Sequence, residues 1–137
     1  MEDTNTIYHI VIYDDLRTHT TDGYYTPENF AKDGFIHCTA GKSSSMRVLE
    51  DYFGGVPVHK QILVLAIGIP QLESTVRFEP PAPVLGVGST HAGGGVLFPH
   101  IYGKLNLDAI SGAGLVERTG NTFMWPREFR NVSFFLE

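Results

Sequence analysis

One cysteine, Cys38, occurs among the 137 residues. That excludes an intramolecular disulfide framework and every zinc pattern built on paired cysteines. Positive charge is also scarce: ten Lys and Arg stand against fifteen Asp and Glu, a formal net charge of −5. The ten are scattered along the chain, whereas binding a nucleic-acid backbone needs them clustered, so no nucleic-acid partner is expected. No apolar run approaches the ~20 residues of a membrane helix, and no membrane partner is expected either. The first thirty residues show no basic stretch followed by an apolar one, so a cytoplasmic location is the expectation. Local metal-ligand spacings such as His-x-His and His-Glu-x-x-His are missing as well.

What is present reads as one globular domain over residues 1–137. A hydrophobic share of 42% and a charged share of 18% suit a packed core. Fifteen glycines and eight prolines favour many turns, hence short strands over long helices. Ile7–Tyr13 carries β-branched and aromatic residues and predicts a first strand, with Ile7, His9 and Val11 on one face. After a polar loop, Thr26-Pro27-Glu28 predicts a helix start, and Gly34 its end. Phe35–Thr39 predicts a strand with Phe35, His37 and Thr39 on one face. Ser43 to Gly54-Gly55 predicts an amphipathic helix, with Met46, Leu49, Tyr52 and Phe53 on its apolar face. Gln61–Ile69 predicts a central strand covered on both faces. Val76–Glu79, Phe98–Tyr102, Leu115–Glu117 and Phe123–Trp125 are further strand candidates, and Asn106–Ile110 suits one helical turn. Residues 80–96, rich in proline and glycine, are expected to form a binding loop or lid. The C-terminal Phe134-Phe135-Leu136 is too apolar for water. It is expected to dock on its own domain or on a second copy in a homodimer.

Three apolar strings carry a histidine where a core residue belongs: His9, His37 and His100. Imidazole is costly to bury without partners and titrates near neutral pH, so the three point to a pocket at strand ends. His19, His59 and His91 lie in polar or glycine-rich stretches and read as surface residues. Three imidazoles suffice for zinc or iron, but without local ligand spacings a metal is the minority reading. Cys38 follows His37 directly, and neighbours on a strand point to opposite faces, so Cys38 reads as packing. Gly86-Val87-Gly88 lacks the third glycine of a dinucleotide fingerprint. Acid–base chemistry fits best. His37 and His100 would serve as base and acid, with Tyr102 and Thr39 as hydrogen-bond donors and His9 as an orienting partner. Arg77 and Glu79 alternate with the core side of their strand and are candidates to anchor a substrate or orient an imidazole.

Ile7-Tyr8-His9-Ile10, Gly23-Tyr24-Tyr25, Gly34-Phe35-Ile36-His37-Cys38-Thr39 and Phe98-Pro99-His100-Ile101-Tyr102-Gly103 together resemble family 952 of the domains of unknown function. The resemblance spans about residues 8–116 and leaves a C-terminal extension at 122–137. It implies a compact α+β domain with a split, mostly antiparallel sheet and two or three short helices, similar to ADP-ribosyltransferases and RNA 2′-phosphotransferases. In that kinship His9 would grip NAD, Thr39 would supply the second-strand hydroxyl, and Tyr24 would join the substrate contacts. His100 and Tyr102 stand in the region of the transferase glutamate. The leading expectation is therefore a metal-independent, cofactor-free enzyme acting on a small-molecule substrate by proton transfer. An NAD or ADP-ribose transferase or hydrolase is the alternative, and a non-catalytic metabolite- or nucleotide-binding module the third.

Overall fold

A computed structural model describes residues 5–80 and 97–136. The expected segment at 80–96 falls, from residue 81 onward, outside the described residues. The first strand, β1 (Thr6–Ile12), alternates two buried faces. Ile7 and Val11 enter the larger apolar core, and Ile10 with Tyr8 enters a smaller one. β5 (Ile62–Gly68) lies between β1 and β9 (Ile110–Leu115), antiparallel to both, and is the central strand its apolar run predicts. Leu63, Leu65 and Ile67 face the larger core; Ile62 and Val64 face the smaller one. α3 (Lys42–Tyr52) closes the smaller core with fully buried Leu49, beside Met46 and Phe53.

A second three-stranded sheet has the order β4 (Ile36–His37), β7 (Phe98–Tyr102), β6 (Thr75–Glu79), again antiparallel. The two sheets join where Tyr8 and Thr39 exchange backbone hydrogen bonds of 2.8 Å. Two smaller sheets complete the set: β2 (Thr20–Thr21), β3 (Tyr24–Tyr25) and β8 (Leu105–Asn106), and the hairpin β10 (Glu117–Thr119) with β11 (Thr122–Met124). The domain is α+β with mostly antiparallel sheets and few helices.

Several expectations need correction. No polar loop follows β1: α1 (Tyr13–Thr18) begins at once, with Leu16 fully buried and Asp14 and Asp15 in its first turn, where the helix dipole favours them. α2 is only Phe30–Asp33, and Thr26 does not cap it. Gly34 does end it, at φ +83°, its N–H on the Phe30 carbonyl. The strand expected over Phe35–Thr39 is ladder-paired only at Ile36 and His37, because beyond them the chain leaves β7 for β1. Leu115 ends β9, and Val116 separates it from β10, so no strand spans Leu115–Glu117. The C-terminal turn α4 (Ser133–Leu136) packs Phe135 and Leu136 on the chain's own larger core, while Phe134 stays exposed.

Candidate functional site

Register decides the site. In the β4–β7 ladder His37 lies opposite His100, and in β6–β7 Arg77 lies opposite His100. Directly opposed residues share a face, so these three side chains stand on one side of the sheet. Ile36, Ile101 and Val76 take the other side and enter the larger core. The two imidazole rings are 5.7 Å apart, and Phe35 stacks on His100 at 4.1 Å.

Each of the two histidines has a carboxylate on one ring nitrogen. Asp33, the last residue of α2, accepts from His37 Nε2 at 2.9 Å, the reversal at Gly34 bringing them together. Glu79 accepts from His100 Nδ1 at 2.8 Å and from the Tyr102 hydroxyl at 2.5 Å. Tyr102 first, and His100 second, hold the Glu79 carboxyl below its ordinary range, so it is ionised. Tyr102, bonded to that carboxylate, is pushed up and stays a phenol. Burial lowers His100, with Glu79 opposing. His100 is thus neutral at pH 7, its Nδ1–H on Glu79 and its Nε2 bearing the lone pair.

His9 sits behind this pair. Its Nδ1 lies 2.6 Å from the His37 carbonyl, which can only accept, so Nδ1 carries the hydrogen. Burial dominates and lowers its pKa to about 4. His9 is a neutral imidazole with Nε2 unprotonated.

The three histidines line one cavity of about 700 Å³, together with Phe35, Tyr25 and Asp15. Thr39 also lines it, but its hydroxyl is committed. Thr39 Oγ1 shares a 2.5 Å hydrogen bond with Ser45 Oγ and reaches the Tyr8 carbonyl at 3.4 Å, while Ser45 Oγ reaches the Gly41 carbonyl. The expected role of Thr39 as a substrate donor is therefore replaced by a structural one. Tyr102, Glu79 and Arg77 do not line the cavity; Glu79 and Tyr102 lie behind His100, and Arg77 stacks on the Tyr102 ring at 5.1 Å. Tyr24 is elsewhere, its hydroxyl on Glu73 at 2.7 Å. Cys38 is buried and its thiol pushed up, as a packing residue requires. A second concavity, about 770 Å³, follows one face of α3 and brings no histidine or aromatic side chain to its lining.

Three contributors escape sequence reading. Asp33 precedes His37 by four residues, a spacing hidden by the turn between them. Asp15 holds His19 Nδ1 at 2.9 Å and the Tyr25 hydroxyl at 3.2 Å. His19, expected at the surface, is half-buried and lines the cavity.

The chain matches the family described as "Protein of unknown function (DUF952)" over residues 10–113. It belongs to that family. Two crystal structures of protein CC0527 from Caulobacter crescentus are similar to this DUF952 chain, one of them a double methionine mutant. They share 19% and 20% identity, each with a TM-score of 0.67 over 96% of this chain and 97% of that one. Likeness at that identity speaks for the fold alone. No curated protein matches this DUF952 chain.

Two groups can be tested against the lining. Among the described residues, no three His, Cys, Asp or Glu side chains gather closely enough to hold one metal ion. NAD brings a pyrophosphate, yet Lys60 is the one Lys or Arg on the cavity wall, and its ammonium already rests on Asp14 at 2.7 Å. His9 is neutral and supplies no charge. The donor set does not fit a pyrophosphate.

Proposed function

We propose that this cavity is the active site of an enzyme that moves protons on a small organic molecule, next to a carbonyl, in an isomerisation, cyclisation or elimination. The observation that carries the reading is the cross-strand pair itself. His37 and His100 face one cavity, each with a ring nitrogen fixed by a carboxylate.

In this reading His100 Nε2 takes the proton from carbon, and the C–H electron pair moves to the carbonyl oxygen as an enolate. Glu79 holds Nδ1–H and stabilises the imidazolium that forms, as a carboxylate partner does for a general base. His37, its Nε2 held on Asp33, faces that oxygen with Nδ1, and its imidazolium form is the one that donates there and returns a proton to the carbon framework, His100 giving the proton it took back to water. His9 fixes the His37 backbone through its Nδ1–H and lends a neutral acceptor to the wall. Tyr102 and Arg77 act on His100 only through Glu79 and are positioning residues.

The joined sheets also suit an ADP-ribosyltransferase-like split sheet, with His9 in the place that would grip NAD. The cavity lining argues against that ligand, and a titration with NAD and ADP-ribose is expected to show no binding at millimolar concentration. Proton transfer is read without knowing the product by incubating the protein with neutral ketones in heavy water and following deuterium at the α-carbon. Exchange by the native protein, lost in His100→Gln and His37→Gln variants of native melting temperature, supports the reading. Absence of exchange across the panel, or normal exchange in both variants, overturns it. Ligand binding without exchange leaves the chain a binding module.

A further inference from the structure

We infer that the cavity selects an uncharged molecule with an apolar body and a hydrogen-bond donor at its reacting end, and that it rejects carboxylates, sulfonates and phosphates by charge. This rests on the cavity being the functional site proposed above and names its ligand class.

The first observation is where the cations are not. The chain has ten Lys and Arg, and residues 1–4, 81–96 and 137 contain none of them. All ten therefore lie among the described residues, and the cavity wall receives Lys60 alone. Four carboxylates line the same wall: Asp14, Asp15, Glu28 and Asp33. Among the described residues of the lining, four carboxylates thus stand against one ammonium. An anion entering the cavity meets an excess of like charge, much of it at the exposed rim, where salt screens it.

The second observation is that, among the described residues, each carboxylate in the depth of the wall already has a partner. Asp14 is on Lys60, Asp15 on His19 and Tyr25, and Asp33 on His37. Glu28 is exposed. A neutral ligand leaves these pairs in place, whereas an ammonium ligand would compete with Lys60, His19 and His37 for the inner carboxylates.

The third concerns hydrogen. His9 and His100 both use Nδ1–H within the protein, on the His37 carbonyl and on Glu79. The nitrogen each has left for a ligand is Nε2, an acceptor. A bare carbonyl oxygen facing two lone pairs is repelled, so the ligand presents a donor there, a hydroxyl or an acidic C–H. Tyr25 lies against His9 and Phe35 against His100, and the lining adds the rings of Phe30, Tyr52, Phe53 and Phe98. A volume of about 700 Å³ suits a ligand of several rings or an extended chain.

A matched pair of dyes isolates the charge. N-phenyl-1-naphthylamine is neutral and carries one N–H donor; 5-anilinonaphthalene-1-sulfonate is the same skeleton with a sulfonate too distant to take that hydrogen. Titration at low ionic strength is expected to show the neutral dye bound with enhanced, blue-shifted emission, and the sulfonate at least about tenfold weaker. The gap should narrow in the Asp14→Asn/Glu28→Gln variant and with added salt. Val48→Trp and Val56→Trp each add bulk to the cavity wall, and both should reduce the neutral dye's emission. A sulfonate that binds as well as the neutral dye overturns the inference, as does neutral-dye binding unchanged in both tryptophan variants. Dye binding needs no turnover, so loss of dye selectivity with deuterium exchange intact fails the ligand class alone. Dye selectivity retained without exchange fails only the enzymatic reading.

Discussion

Two of the three-stranded sheets, β1–β5–β9 and β4–β7–β6, have the same antiparallel pairing and opposite uses. β1–β5–β9 is apolar on both faces at its central strand, where Leu63, Val64, Leu65 and Ile67 are fully buried. β4–β7–β6 keeps one apolar face, with Ile36 and Ile101, and turns the other, with His37, His100, Arg77 and Glu79, into a charged network. The first sheet gives stability through burial. The second lies one strand-crossing away, at Tyr8 and Thr39, and inherits a rigid base for groups that are costly to orient. His9 belongs to both: it grows from β1 and reaches the His37 carbonyl in β4. Apolar burial and polar chemistry are thus separated by sheet, and meet at one imidazole.

That separation can be broken from either side. The largest effect is expected in the charged network. His100→Gln should cut turnover about 10²- to 10⁴-fold, the range of a lost general base, while the melting temperature stays near native. Leu65→Ala, in the apolar sheet, should do the reverse. It should cost about 2–5 kcal/mol of stability in urea unfolding and leave turnover per folded molecule unchanged.

Acid should reveal the shared histidine. His9 is held at about 4, below its ordinary 6.5, so between those values the unfolded chain binds a proton the folded chain refuses. Its contribution is complete above pH 6.5 and is lost as pH falls towards 4, about 3 kcal/mol in all. His100, also lowered, adds in the same direction. Unfolding midpoints at pH 7 and 4.5 should differ accordingly, and His9→Gln should flatten most of that slope. The smallest effect belongs to Tyr102→Phe. Without the phenol, Glu79 becomes a stronger partner for protonated His100, so the acid limb of the rate profile moves to higher pH with only a few-fold change in maximal rate.

Much of this contrast was legible in the chain, and the illegible parts have physical causes. Period-two alternation placed His9 with Ile7 and Val11, because β1 is half in each core and its pattern is local. The continuous apolar run of β5 announced a strand covered on both faces. β9 was invisible: Ile110-Ser111-Gly112-Ala113-Gly114 lacks the β-branched signal of a strand. Its glycines answer a tertiary demand. A Cβ at Gly114 would stand 2.5 Å from Pro126 Cβ, and one at Gly112 2.9 Å from Phe129 Cβ. The segment crossing over β9 needs that space, pairing Arg130 with Ala113. α1 leaves no periodic signal because its six residues make fewer than two turns. At the site, the imidazoles were conspicuous because each interrupts apolar residues, whereas their carboxylates were not. Asp33 falls just before the glycine that ends an expected helix, and Asp15 in a stretch that reads as polar loop. Thr39 misled because extended alternation was carried past His37, where the chain changes sheets.

The most direct test of the account is the protonation state of His100 in the folded protein. Nitrogen-15 imidazole spectra across pH 4–8 are expected to show His100 neutral at pH 7, protonated on Nδ1 and bare on Nε2. Its midpoint should lie below 6.5 and should rise in Tyr102→Phe. An Nε2–H tautomer, or a His100 that is charged at pH 7, would contradict the assignment of a base held ready on Glu79.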